Sequence, residues 1–142
     1  MSEEQVVRTE EQDGALRIYS GRRQLVDKRG RAGEFEEGAY CRLTARLAAS
    51  HYDLTLVEVA GRRRGSRRAT RARHVAMYLA HVIGGLNLAA VGAGFHRDRT
   101  TASYACHMVE DARDDPAFDA ALASLEISAG ILLDLQREER VT

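Results

Sequence analysis

The sequence predicts an all-α protein of about five helices, with a helix-turn-helix at its centre and a flexible N-terminal arm ahead of it. Three observations predict this. From about residue 40 onward, apolar residues recur at spacings of three and four, the period of helices with one buried face. Asn87 and Asp98, whose short side chains suit helix N-caps, stand just before two of these runs. Glycines and the single proline fall between the runs, where helices end or begin. A chain of 142 residues has room for one domain and a tail, and we set the boundary between 1–37 and 38–142.

The first 37 residues mix charges without periodicity. Within them Ala15-Leu16-Arg17-Ile18-Tyr19 alternates as a strand does, but a lone strand of this size is unstable without a partner. The segment therefore reads as a mobile or partner-binding arm. Leu43, Leu47 and Ala48 share a face of the first helix, which Asp53-Leu54-Thr55 interrupts with capping chemistry. Leu56, Val57 and Val59 form a short apolar turn, and residues 61–66 form a glycine-bounded arginine loop. A second helix is predicted over 70–83, with Ala72, Val75, Ala76, Leu79, Val82 and Ile83 on its apolar face, and Gly84-Gly85 ends it. Asn87 caps a short third helix carrying Leu88, Val91 and Ala93. After Gly94-Phe95-His96-Arg97, Asp98 caps a fourth, whose buried stripe is Ala102, Ala105, Cys106, Val109 and Ala112. Pro116, at the favoured first position, opens a fifth helix with Phe118, Ala121, Leu122, Leu125, Ala129, Leu132 and Leu133 on its apolar face. The apolar residues from Ile127 to Leu135 either complete the core or form an interface with a second copy or another protein.

Composition narrows the function classes. The chain is 44% hydrophobic and 30% charged, and no apolar run reaches the ~20 residues of a membrane-spanning helix. The Met-Ser-Glu-Glu start lacks the basic-then-apolar layout of a secretory signal, so a cytoplasmic, nucleoid-associated protein is expected. Cys41 and Cys106 lie in helical patterns outside any C-x-x-C pair and read as buried free thiols. Histidines 51, 74, 81, 96 and 107 show no standard metal spacing, so no metal is expected. Cys106 and His107 point about 100° apart on a helix and cannot act as a nucleophile pair. Neither a carboxylate pair nor a G-x-x-x-x-G-K-[ST] phosphate loop is present, and we expect no enzyme, no cofactor and no bound nucleotide. The formal net charge is zero, but the charges are segregated. Arginines 62, 63, 64, 67, 68, 71 and 73 fall within one short stretch that contains no acid, which suits a polyanionic partner.

Residues 88–109 have the layout of a helix-turn-helix, whose second helix enters the DNA major groove and reads bases with its N-terminal residues. Here those residues are Asp98, Arg99, Thr100 and Thr101. Arginine can fork onto guanine O6 and N7, and threonine can meet thymine methyls or phosphates. The order Arg73-His74-Val75-Ala76-Met77-Tyr78-Leu79-Ala80, Leu88 to Phe95, Arg97-Asp98-Arg99-Thr100-Thr101 and Ala105-Cys106 closely resembles the C-terminal DNA-binding domain of the bacterial replication initiator DnaA. The resemblance runs over 47–125, and Arg-Asp-x-Thr-Thr followed by Ala-Cys is its most specific part.

The resemblance implies that Asp98, Arg99, Thr100 and Thr101 contact bases. It also implies that the preceding basic loop meets the DNA backbone and minor groove, which assigns Arg62, Arg63, Arg64, Ser66, Arg67, Arg68, Arg71 and Arg73 to that side. The family's minor-groove arginine aligns with Gly65, and Arg64 or Arg67 is the neighbour able to replace it. This sequence departs from the family in two further places. Arg99 stands where the family usually has histidine, and the two-glycine turn is one residue shorter. Both changes fall where bases are read, so the preferred site should differ from the initiator's box by about 1–3 kcal/mol per altered contact. With no ATPase module ahead of the match, the expected function is sequence-specific binding of double-stranded DNA by a transcription regulator. It would engage RNA polymerase or a co-regulator through the arm or the last helix. The alternatives are a replication-origin modulator that competes for initiator boxes, and a protein-interaction adapter with a degenerate DNA site.

Overall fold

The computed structural model describes residues 31–141, with side chains over 37–139. Six helices make up this region: α1 (Arg31–Tyr52), α2 (Leu56–Ala60), α3 (Arg67–Val82), α4 (Leu88–Gly94), α5 (Arg99–Ala112) and α6 (Pro116–Val141). The class is the all-α class that the sequence predicts. The short apolar turn at 56–59 is a helix of its own, because Thr55 and Glu58 close a reciprocal capping box around its first turn. The first long helix begins at Arg31, inside the segment expected to be an arm. The strand-like stretch at 15–19 lies outside the described residues.

Caps chosen by the sequence set most boundaries. Asn87 accepts from the Ala90 amide at 2.8 Å, and Asp98 from the Thr101 amide at 2.8 Å. Ser66 accepts from the Ala69 amide at 3.0 Å, so α3 starts before the expected residue 70 and takes Arg67 and Arg68 into its first turn. At the other end of α3, Gly85 adopts φ 73°, a left-handed conformation that closes a helix at little cost in glycine.

α3 is the axis of the fold and packs against all five other helices. That explains why Val75, Ala76, Met77, Tyr78, Leu79 and Ala80 are all buried in succession, where an amphipathic surface helix would bury one stripe. Its two sides serve two apolar clusters. One joins α3 to α1, α2, α4 and the start of α5 through Tyr40, Ala45, Val59, Met77, Val91, Phe95 and Ala102. The other joins α3 to α5 and α6 through Val75, Leu79, Ile83, Cys106, Val109, Leu122 and Leu125.

Polar contacts tie α6 to the rest. The Tyr40 hydroxyl donates to the Ala129 carbonyl at 2.7 Å. Arg113 pairs with Asp119 and with Glu126 at 2.9 Å, and also donates to the Tyr78 hydroxyl at 3.0 Å. Both cysteines are buried and free, and burial pushes each thiol up to about 12. They are protonated and unreactive at neutral pH. The apolar residues of α6 divide by exposure. Ala129 and Leu133 are buried, whereas Ile127, Ile131 and Leu135 remain 65%, 54% and 53% exposed.

Candidate nucleic-acid interface

The helix-turn-helix is α4, a short connection and α5. Its closeness depends on Gly92. A Cβ there would lie 2.8 Å from the backbone oxygens of both Arg97 and Asp98, so only glycine lets the two segments meet. The Arg97 amide donates to the Gly92 carbonyl at 2.8 Å across this contact. His96 completes the turn at φ 59°, a left-handed conformation that is costly for a residue with a Cβ. This is how the shortened connection reverses direction without a glycine pair.

The turn delivers the first residues of α5 to the surface. Asp98, Arg99 and Thr100 are exposed and Thr101 is half-buried, while Ala102, Ala105, Cys106 and Val109 anchor the opposite side of the helix. Asp98 is the N-cap. Hydrogen bonding to the Thr101 backbone and hydroxyl holds its carboxyl below the ordinary aspartate value.

Next to this helix end lies the arginine loop. Arg62, Arg63 and Arg64 are exposed, and no carboxylate among the described residues pairs with them. Gly65 has φ 76°, and a Cβ there would stand 3.2 Å from that of Ala69, so the position aligned with the family's minor-groove arginine does not suit a side chain. A groove runs between the loop, α3 and α5. Arg64, Arg67, His74, Thr101 and Tyr104 are among the residues that line it, and the His74 ring is edge-on to that of Tyr104 with centroids 5.8 Å apart. Burial and the charges of Arg73 and Arg71 push the His74 pKa down, so this ring is neutral at pH 7.

The remaining basic residues divide by environment. Arg67 is exposed on the first turn of α3, and Ser66 is exposed beside it. Arg68 donates to the Tyr52 carbonyl, and the Arg71 guanidinium sits 5.0 Å from the centroid of the Phe118 ring. Arg73 is placed quite differently, at 4% exposure. Its Nε donates to the Val59 carbonyl at 2.8 Å, and one terminal nitrogen reaches those of Glu58, Arg63 and Arg64 at 3.0–3.1 Å. Its Nε and one terminal nitrogen are engaged within the fold, which makes it a support of the loop. Burial and the neighbouring Arg97 charge bring its pKa down to about 10, so it still carries its charge at neutral pH. Arg97, which sequence reasoning treated as part of a connection, makes a similar set of bonds. A charged residue inside a tight turn, beside an acid already committed to capping α5, was the available signal.

Residues 45–109 match the family model of the bacterial DnaA protein helix-turn-helix. These residues form a DnaA-type helix-turn-helix domain. The matched span takes in the end of α1, all of α2, α3 and α4, and most of α5, and α6 lies beyond it. The search of curated proteins and the search of solved structures gave no match. DnaA-type helix-turn-helix domains bind DNA, and in this one the arginine loop and the capped end of α5 are both exposed. No helix among the described residues is long and apolar enough to cross a membrane.

Proposed function

We propose that this DnaA-type domain reads double-stranded DNA by sequence and serves as a transcription regulator. One observation carries the reading. The capped end of α5 bears exposed Arg99 and Thr100, and its next residue, Thr101, lines the same groove as Arg62, Arg64 and Arg67 of the exposed arginine segment, none of which has a carboxylate partner among the described residues. In this reading α5 enters the major groove. Arg99 forks onto a guanine, and Thr100 and Thr101 meet a thymine methyl or a phosphate. Asp98 caps the helix, and its second carboxylate oxygen can accept from a cytosine amine. Arg62, Arg63, Ser66 and Arg67 take phosphates, and Arg64 enters the minor groove in place of the residue missing at Gly65. Supporting Arg64 is its held backbone: its carbonyl accepts from Arg73 at 3.1 Å and from the Thr70 hydroxyl at 3.5 Å. Arg68 and Arg71 contribute charge at longer range, and Arg73 holds the loop. The exposed Ile127, Ile131 and Leu135 on α6 suit a protein partner such as RNA polymerase or a co-regulator.

Selection from a random duplex pool at near-physiological salt tests this reading. A single enriched motif that differs from the initiator's box is the expected result. Enrichment of the initiator's own box would replace the regulator with an origin modulator. No enrichment, with weak binding abolished by salt, would leave the adapter reading.

A further inference from the structure

The arginine loop and α5 belong to separate stretches of chain, yet one side chain joins them. Arg97 stands in the turn immediately before the cap of α5. One of its terminal nitrogens donates to the Gly61 carbonyl at 2.6 Å and to the Phe95 carbonyl at 2.8 Å. The other donates to the carbonyls of Arg63 at 3.2 Å and Arg62 at 3.4 Å. The guanidinium therefore takes three consecutive carbonyls of the loop on one side and the turn of the helix-turn-helix on the other. Arg73 grips the same loop from beneath, and the two arginines share the Arg63 carbonyl.

We infer that Arg97 is a positioning residue for DNA binding, setting the arginine loop at a fixed register to the base-reading end of α5. The inference rests on the DNA reading above and adds a mechanism to it. A duplex presents its phosphates and grooves at fixed spacing, so two elements that bind it together must be held at matching separation. The loop has no regular secondary structure between Gly61 and Ser66 and carries adjacent like charges that repel each other. Left alone it would sample many arrangements, and ordering it on DNA would weaken binding. A planar fork with several donors in fixed directions suits this task, whereas an ammonium group is a single rotating point. Both terminal nitrogens of Arg97 are engaged by carbonyls, so its contribution to DNA passes through the loop.

The test uses the full chain, with Arg97→Lys, which keeps the charge and loses the fork, and Arg97→Gln, which loses both. Helical content and thermal midpoint establish that each variant is folded. Limited trypsin digestion then measures cleavage after Arg62, Arg63 and Arg64 without DNA. Roughly tenfold faster cleavage is expected for both variants, the factor for losing a charge-assisted hydrogen bond that keeps the loop closed. Unchanged cleavage in either variant would overturn the proposal. A second arm measures binding to a selected duplex in the parent and in a background with Arg62, Arg63 and Arg64 all changed to alanine. Arg97→Lys should weaken binding roughly tenfold in the parent and by less than about twofold in the stripped background. Equal weakening in both would mean that Arg97 acts outside the loop, and the proposal would fail. If the parent itself bound no duplex, the DNA reading would fall, and the cleavage arm would still decide whether Arg97 fixes the loop.

Discussion

Arg64 and Arg73 are nine residues apart and carry the same side chain, but they lie in opposite environments. Arg64 is exposed on the loop and no carboxylate among the described residues pairs with it. Arg73 is buried beneath the loop with four carbonyls around its guanidinium, Arg64's own among them. Two layers of arginine result, an outer one that offers charge and an inner one, shared with Arg97, that satisfies the backbone of the outer. The division follows from a general constraint. Backbone carbonyls that face the protein rather than water need donors, and a guanidinium supplies five in a fixed arrangement. A basic patch is therefore not uniformly available to its ligand, and changes within it should have effects of different kinds.

The largest effect should come from the inner layer. Arg73→Ala removes the donors of buried carbonyls, and destabilisation of about 2–4 kcal/mol is expected, read as a fall in the urea midpoint. Arg64→Ala should change stability by no more than about 0.5 kcal/mol while weakening DNA binding. If Arg64→Ala destabilised as much as Arg73→Ala, the two-layer distinction would be wrong. Gly92→Ala is expected to cost about 1–3 kcal/mol, because its methyl group meets backbone oxygens that cannot move without shifting the start of α5. Thermal melts would measure this. DNA affinity should fall more than stability alone accounts for, because the displaced segment carries Arg99.

A smaller effect separates α5 from the loop. Arg99→Ala should lower discrimination at one base position by about 1–3 kcal/mol, with non-specific affinity retained. An unchanged selected motif would remove Arg99 from base reading. The smallest effect concerns Asp98. Its carboxyl titrates below the ordinary aspartate value because the charged form accepts from the Thr101 backbone and hydroxyl. The stability it contributes is therefore present above the ordinary value and disappears as pH falls through the lowered one. Asp98→Asn keeps a capping oxygen and should flatten that acid-side dependence while leaving the urea midpoint near neutral pH almost unchanged. Identical acid titration curves for the two proteins would exclude this contribution.

Much of the fold was legible because its helix starts are local. Asn87, Asp98 and Pro116 each signal a boundary through their own chemistry, and each boundary is where that chemistry puts it. The stripe of α5 was equally readable, since one side of that helix is buried. α3 was less so, because a helix packed on every side buries Met77, Tyr78 and Ala80 as well as the predicted stripe. The start of α1 within the expected arm was hidden, because its first residues are charged and lack apolar periodicity. For the site, the exposed end of α5 followed from its cap and periodicity. The two layers of arginine did not. Which arginine turns inward depends on carbonyls of α2 and the loop, Glu58, Val59 and Gly61 among them, that come near only after the chain has folded.

The most direct measurement is the salt dependence of binding to a selected duplex and to a scrambled duplex of the same length. The parent would be compared with the Arg62, Arg63 and Arg64 triple-alanine variant and with Arg99→Ala. Loop arginines that meet phosphates should, when removed, reduce the slope of log affinity against log salt by about 0.9 for each phosphate no longer neutralised, equally on both duplexes. Arg99→Ala should narrow the gap between the two duplexes and change the slope by no more than about 0.9. If the triple variant kept the parent slope, or if the parent never distinguished the two duplexes, the division of work between loop and helix would be contradicted.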